Sequence, residues 1–287
     1  MEMNGRSPVV LVTGVSSGIG LAVANAFAAK GFEVFGTSRN PSGTQPIPGV
    51  ELVQLDVTDA ASVSAAVASV IRRAGRIDIL VNNAGIGIIG AAEESSVTQA
   101  QQLFDTNFFG LVRLTREVLP HLRAQGGGRI INIGSVLGLL PAPYAALYSA
   151  SKHAVEGYSG SLDHETREFG VRVSVVEPGF TKTSFGANAF DADSLIDSYV
   201  AARENARRVI TEGVHHGDDP AVVVRAVLKA ATSRRPKVRY PAGNLARGLS
   251  LLRKFAPEAL MDKGIRKANK VTSTSKPVAS RLPSAVG

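Results

Sequence analysis

Short, almost wholly apolar runs alternate along this chain with longer stretches whose apolar residues are spaced for helices, and the two periods together predict the elements. Val9 to Thr13, bounded by Pro8 and Gly14, carries no charge and reads as a parallel strand buried on both faces. The alanine-rich Leu21 to Lys30 follows as a helix. Phe32 to Thr37 and Val50 to Leu55 repeat the strand pattern around a Pro- and Gly-rich turn at 41–49. Next comes a helix over Ala60 to Arg73, with Thr58 and Asp59 poised to cap it. Ile77 to Val81 is a fourth strand. Val97 to Ala124 has helical composition, with Pro120 kinking or tightening its last turns, and Gly126 to Gly128 break it. Strands at Arg129 to Gly134 and Val171 to Val176 flank a helix over Leu147 to Phe169. A helix from Asp218, Asp219 and Pro220 through Ala231, an edge strand at Lys237 to Tyr240 and a last helix at Leu245 to Phe255 complete the pattern.

Strands separated by helices require right-handed crossovers, so the pattern predicts an α/β fold. It is a doubly wound parallel sheet of about seven strands with helices on both faces. One domain over residues 1–270 accommodates it, and the Ser-, Thr- and Pro-containing basic tail at 271–287 reads as disordered. Between Phe180 and His216 the pattern weakens. Phe185, Phe190, Leu195, Ile196 and Tyr199 lie scattered among polar residues, which reads as a lid over a substrate. Those side chains suit either an apolar substrate or ordinary packing.

Composition narrows the function classes. Of 287 residues, 44% are hydrophobic and 20% charged, as in an ordinary globular protein, and no apolar run approaches the roughly 18 residues that span a bilayer. Met1 to Pro8 is short and polar, unlike a signal peptide. The absence of cysteine excludes disulfides, thiolate metal sites and a cysteine nucleophile, and His215 and His216 lack partners at metal-ligand spacing, so no metal is expected. A cytoplasmic protein is the expectation. The net charge of +8 is uneven: residues 225–287 hold 15 Lys or Arg against 2 acidic residues, leaving 17 against 22 for the rest. Such an end suits solvation, a subunit contact or an anionic membrane surface. It carries no nucleic-acid motif or stacking aromatics, so no nucleic-acid partner is expected.

The chemistry gathers at the carboxyl ends of the predicted strands, where open α/β sheets bind ligands. After the first strand comes Thr13, Gly14, Val15, Ser16, Ser17, Gly18, Ile19, Gly20, and then a helix. Glycines let a phosphate approach backbone N–H groups, and the helix N-terminus adds partial positive charge. The spacing is G-x-x-x-G-x-G, distinct from the G-x-G-x-x-G fingerprint and from the P-loop. The second strand ends in Ser38 and Arg39, where an acid would read a free ribose 2′-hydroxyl. A hydroxyl and a guanidinium suit a 2′-phosphate instead, so NADP(H) is favoured over NAD(H). Tyr148 and Lys152 stand one helical turn apart, and an ammonium close to a phenol lowers its pKa, making Tyr148 a general acid/base. Ser135 follows a strand and reaches for the same substrate oxygen. Asn107, a poor residue for a helix interior, either faces solvent or holds something.

Taken together, Thr13 with Gly14, Gly18 and Gly20; Asp56; Asn82 to Gly85; Asn107; Ser135; Tyr148 with Lys152; and Pro178 with Gly179 resemble the short-chain dehydrogenase/reductase family over roughly residues 8–240. The resemblance implies a Rossmann-like domain and hydride transfer between a nicotinamide and an alcohol or carbonyl carbon. Tyr148 would carry the proton, Ser135 orient the oxygen, Lys152 hold the nicotinamide ribose beside Tyr148, and Asn107 anchor a water relay. Gly14, Ser16, Ser17, Gly18, Ile19 and Gly20 would face the pyrophosphate, Asp56 and Val57 the adenine. Asn83, Ala84 and Gly85 would support the cofactor, and Pro178, Gly179, Thr181 and Thr183 would meet its nicotinamide end. The subgroup most similar acts on steroid, retinoid or other lipophilic alcohols and ketones. Family members are commonly homodimers or homotetramers. A non-catalytic NADP(H)-binding redox sensor is the competing reading, and loss of Ser135, Tyr148 or Lys152 would be its signature.

Overall fold

Seven parallel strands form the central sheet of the computed structural model, which describes residues 7–186 and 189–269. In chain order the strands are β1 (Val9–Thr13), β2 (Glu33–Ser38), β3 (Val50–Gln54), β4 (Ile79–Asn82), β5 (Ile88–Ile89), β6 (Gly128–Ile133), β7 (Val171–Pro178), β8 (Phe190–Asp191) and β9 (Arg239–Ala242). The large sheet runs 3-2-1-4-6-7-9, and β5 pairs with β8 beside it. Strand order reverses between β1 and β4, so the crevice at their carboxyl ends is the place where such a sheet opens to a ligand.

The helices are α1 (Gly18–Ala28), α2 (Ala60–Ala74), α3 (Val97–Phe104), α4 (Gly110–Ala124), α5 (Ala146–Thr166), α6 (Val200–His215), α7 (Pro220–Thr232), α8 (Asn244–Phe255) and α9 (Glu258–Ala268). Side chains alternate across β1, which feeds two cores. Val10 and Val12 pack with Val23 and Phe27 of α1 and Val223 and Val227 of α7. Val9 and Leu11 belong to the core on the other face, with Val67 of α2, Leu114, Val118 and Leu122 of α4, and Leu162 of α5. Burying each large aliphatic side chain contributes about 1.5 to 3 kcal/mol, which is why runs apolar on both faces become the central strands.

Capping follows the sequence in part. Asp59 accepts the Ala61 N–H at 2.9 Å at the start of α2, and Asp219 accepts the Ala221 N–H at 2.8 Å ahead of Pro220 in α7. Thr58 does not cap α2: its N–H and hydroxyl both donate to Asp56 Oδ1, at 2.9 and 2.7 Å. The stretch expected as one helix over Val97 to Ala124 is α3 and α4 joined by a π-turn at Asp105–Phe109, and α4 continues through Pro120. Between Phe180 and His216, where the pattern was weak, lie β8 and α6, and α9 follows the helix expected to be last. The basic tail expected at 271–287 lies outside the described residues. Among the described residues, no helix is long and apolar enough to cross a membrane.

A buried polar ladder fixes α5 against the sheet. Asn82 Nδ2 donates to Thr115 Oγ1 (3.1 Å) and Asn132 Oδ1 (2.9 Å), and Asn132 Nδ2 donates to Ser159 Oγ at 2.8 Å. Further along α5, Asp163 Oδ1 accepts the Val173 N–H at 2.9 Å. Satisfied buried polar groups hold one geometry and penalise others, so the helix bearing Tyr148 and Lys152 has a defined position over β6 and β7.

Candidate active site

The turn after β1 is built for close approach. Gly14 and Gly18 have φ of +69° and +60°, where a side chain is strained, and a Cβ on Gly20 would lie 2.2 Å from the Gly14 carbonyl oxygen. Ser17 opens α1 without a side-chain cap, so the first N–H groups of that helix are not satisfied by it. The turn is braced from the next strand. Thr13 Oγ1 accepts the N–H groups of Asn83 (2.8 Å) and Ala84 (2.9 Å), and Asn83 Nδ2 donates to the carbonyls of Thr13 (2.9 Å) and Gly14 (3.2 Å). Such a cradle fits a pyrophosphate.

A cavity of about 1290 Å³ runs from this turn across the sheet ends. It exceeds the roughly 300 to 1,000 Å³ of a single small-molecule site, leaving room for a dinucleotide and a substrate together. Of the residues expected to bind cofactor, Gly14, Ser16, Ser17, Gly18, Ile19, Ser38, Arg39, Asp56, Val57, Asn83, Ala84, Gly85, Pro178, Gly179, Thr181 and Thr183 line it. Gly20 stands behind the turn, its missing side chain making room for Gly14. Among the described residues, no three His, Cys, Asp or Glu side chains gather to hold a metal ion.

Ser135, Tyr148 and Lys152 meet at the cavity wall. Ser135 Oγ accepts the Leu137 N–H at 3.1 Å and hydrogen-bonds the Tyr148 phenol, while Lys152 Nζ donates to the Ile133 carbonyl at 2.9 Å. The expected acidification of Tyr148 by Lys152 does not hold in this geometry. Burial pushes the phenol up to about 12, against the Ser135 hydrogen bond, and burial draws the Lys152 ammonium down to about 8, against the attraction of Glu156. The ammonium lies 5.7 Å from the centre of the tyrosine ring and is engaged by a carbonyl, so desolvation outweighs attraction.

Asn107, 2% exposed within the π-turn, holds the loop after β4. Its Oδ1 accepts the Ile86 N–H at 2.8 Å, and its Nδ2 donates to the Ile86 carbonyl (2.9 Å) and to Ser151 Oγ (3.2 Å). Both amide hydrogens are thus engaged by protein, which settles the choice between solvent and a holding role.

Behind Lys152 lies a feature that residue types alone did not reveal. Glu156, one turn on, and Glu177, at the end of β7, are buried around Arg239, whose Nε is 2.8 Å from Glu156 Oε2 and 3.5 Å from Glu177 Oε1. Glu156 Oε1 and both oxygens of Glu177 lack a hydrogen-bond donor. Facing carboxyls leave acceptors against acceptors unless one is protonated. Burial, followed by repulsion from Glu156, pushes Glu177 up to about 8 from an ordinary 4.5. A carboxyl raised in the folded state stabilises below about pH 4.5 and loses that contribution as pH rises through about 8. Glu177→Gln, whose amide can donate to Glu156, should therefore raise Tm above that range, by roughly 2 to 4 °C for each kcal/mol relieved, and change it little near pH 5. Thermal melts across pH check this, and an equal shift at both ends would contradict a shared proton.

Two further residues escaped sequence reasoning. Glu94, 0% exposed, joins the segment after β8 to the body, accepting the N–H groups of Ala91 and Ile196 (both 2.8 Å) and pairing with Arg203. Tyr144 has φ of +61°, unusual for a residue with a side chain, and its ring stands edge-on to Tyr199 at 6.3 Å. A lone Glu and a lone Tyr carry no spacing signal. Phe185, part of the expected lid, packs against Tyr148 at 5.7 Å between ring centres.

Comparison with known proteins gives a consistent result. Residues 8–194 match the family model described as short chain dehydrogenase. The chain is 36% identical over 261 residues to 3-ketodihydrosphingosine reductase of Bacteroides thetaiotaomicron, covering 90% of this chain and 96% of that one. A short-chain dehydrogenase/reductase of Burkholderia phymatum solved in complex with NAD is similar at a TM-score of 0.74 and 26% identity, over 88% of this chain and 95% of that one. A 3-ketoacyl-(acyl-carrier-protein) reductase of Brucella melitensis complexed with NADH is similar at 0.69 and 25%, over 81% and 95%.

These solved relatives correct the expected preference for NADP(H), since they hold NAD and NADH. The local geometry supplies a reason. Ser38 Oγ already accepts from Thr44 Oγ1 at 2.9 Å and from the Asn40 N–H at 3.3 Å. Asp56 is held below the usual carboxylate range first by the Thr58 N–H, against burial, and then by the Thr58 hydroxyl and the Arg39 guanidinium. Asp56 thus sets an anion against the Arg39 guanidinium, partly offsetting the positive charge on which a 2′-phosphate would depend.

Proposed function

The chain belongs to the short-chain dehydrogenase/reductase family and is an NAD(P)-dependent oxidoreductase of alcohol and carbonyl groups; from that premise we propose that it reduces the ketone of a long-chain aliphatic substrate with NADH. The observation that carries this reading is the apolar part of the cavity, its apolar arm, whose lining shared with Tyr148 includes Phe185, Val209, Ile210, Leu249 and Ile265. The similarity to a reductase named for 3-ketodihydrosphingosine, a long-chain amino ketone, supports it.

In this reading Tyr148 carries the proton. A phenol at about 12 is protonated at neutral pH and donates to the carbonyl oxygen as that oxygen gains negative charge. Ser135, which accepts from Leu137 and hydrogen-bonds the phenol, stands beside Tyr148 to orient the same oxygen. Lys152, over the tyrosine ring, stabilises the phenolate left behind. A bound NADH supplies the hydride. The turn from Gly14 to Gly20 holds the pyrophosphate, Asp56 and Val57 border the adenine, Asn83 to Gly85 back the cofactor, and Pro178, Gly179, Thr181 and Thr183 meet its nicotinamide end. With its amide engaged, Asn107 would reach a water relay only through its main chain. The segment at 180–216 acts as the lid.

The test is NADH consumption with a series of methyl ketones of increasing chain length. Each methylene buried contributes about 0.8 kcal/mol, so kcat/KM should climb roughly three- to fourfold per carbon until the arm is filled. A flat series, or a preference for short polar ketones, would overturn the reading.

A further inference from the structure

We infer that α8 and α9 form a docking surface for anionic lipid membranes, through which the apolar arm of the cavity takes up its substrate. The inference rests on the proposed lipophilic substrate and adds where that substrate comes from.

Three observations carry it. The first is apolar exposure: Leu245 (50%), Leu251 (62%), Leu252 (42%), Phe255 (78%) and Leu260 (56%) all lie on these two helices. Leu251 and Phe255 are one turn apart, and Arg247 and Lys254 flank Leu251 at four- and three-residue spacings, so a basic edge borders an apolar face. That is the pattern of a helix lying in a membrane interface.

The second is charge. Residues 244–269 carry six Lys or Arg, all exposed, against Glu258 and Asp262. The sequence continues through Lys270, Lys276 and Arg281 without an acidic residue. Anionic headgroups complement such a surface, each nearby basic residue contributing about 1 kcal/mol.

The third is continuity. Leu245, Leu252 and Leu260 line the cavity and are also about half-exposed, so its apolar lining runs out onto this same face. A protein partner that carried no apolar ligand would have no use for that connection. A long-chain ketone dissolved in a bilayer would enter by it without crossing water.

Co-sedimentation with phosphatidylglycerol/phosphatidylcholine vesicles, set against phosphatidylcholine alone, tests the surface directly. The protein should bind the anionic vesicles and release as salt is raised. Arg247→Ala with Lys254→Ala should weaken partitioning roughly thirtyfold, the equivalent of two such charges. Leu251→Asp with Phe255→Asp should abolish it. Neither pair lines the cavity, so turnover of a short soluble ketone should stay unchanged in both, while turnover of a vesicle-borne ketone falls. Absence of binding to anionic vesicles, equal binding to neutral ones, or indifference to both variants would overturn the inference. So would a wild-type dimer, seen by light scattering, that Leu251→Asp with Phe255→Asp dissociates while vesicle binding is absent, since the face would then belong to a second copy. If short ketones are not reduced at all, the functional reading fails while vesicle binding can still stand.

Discussion

Tyr148→Phe is expected to lower kcat by about 10²- to 10⁴-fold, the contribution of a positioned general acid, with dinucleotide affinity little changed. The substitution keeps the ring that packs on Phe185 and lies beneath the Lys152 ammonium, and removes only the oxygen. Ser135 loses one partner but remains at the cavity wall, so the cost to stability is within about 1 kcal/mol. Because the oxygen acts in the transition state, kcat and kcat/KM should fall together. The pH profile gives a second readout. Lys152, drawn down to about 8, keeps its charge below that pH and loses it above, so wild-type kcat/KM for reduction should decline as pH rises through about 8. The residual rate of Tyr148→Phe should lack that decline. Steady-state kinetics and cofactor titration check both statements, and wild-type turnover in the variant would remove Tyr148 from the chemistry.

What the sequence disclosed, and what it hid, follows from where each residue's partners lie. β1 was legible because both faces of Val9 to Thr13 are buried, which forces an unbroken apolar run. The glycine turn and the Tyr148–Lys152 spacing were legible because local geometry fixes both. α6 was not, since only Ala206 is buried on it and Val209, Ile210 and Val214 face the cavity rather than the core. The same holds for α9, where Met261 alone is buried. Spacing also says nothing about depth. It set the phenol beside the ammonium but could not show that burial dominates both groups. At the end of β2, Ser38 and Arg39 suggested a phosphate site, yet the fold brings the Asp56 carboxylate near enough to Arg39 to offset part of its charge.

Glu94→Ala should loosen the segment over the cavity and cost about 3 to 5 kcal/mol, the range for removing one partner of a buried ion pair. The carboxylate is fully buried, and the Arg203 side chain it pairs with is 11% exposed, so truncation leaves a guanidinium without its counter-charge. It also strands the N–H groups of Ile196 and Ala91. Burial alone would raise the Glu94 pKa, but those two N–H donors and Arg203 together hold it below the usual range, which marks the charged form as the one the fold needs. The remaining ties across the seam, such as Ser96 to Asp193 and Gln99 to Asp191, are exposed and contribute less. The loss should therefore appear locally, as faster hydrogen exchange at 190–210 and a KM that rises more than kcat falls. Glu94→Gln, which keeps an acceptor for the N–H groups, should be intermediate. Adding Arg203→Met to Glu94→Ala should recover part of the stability by removing the stranded charge. If exchange and KM in Glu94→Ala match the wild type, Glu94 does not hold this segment.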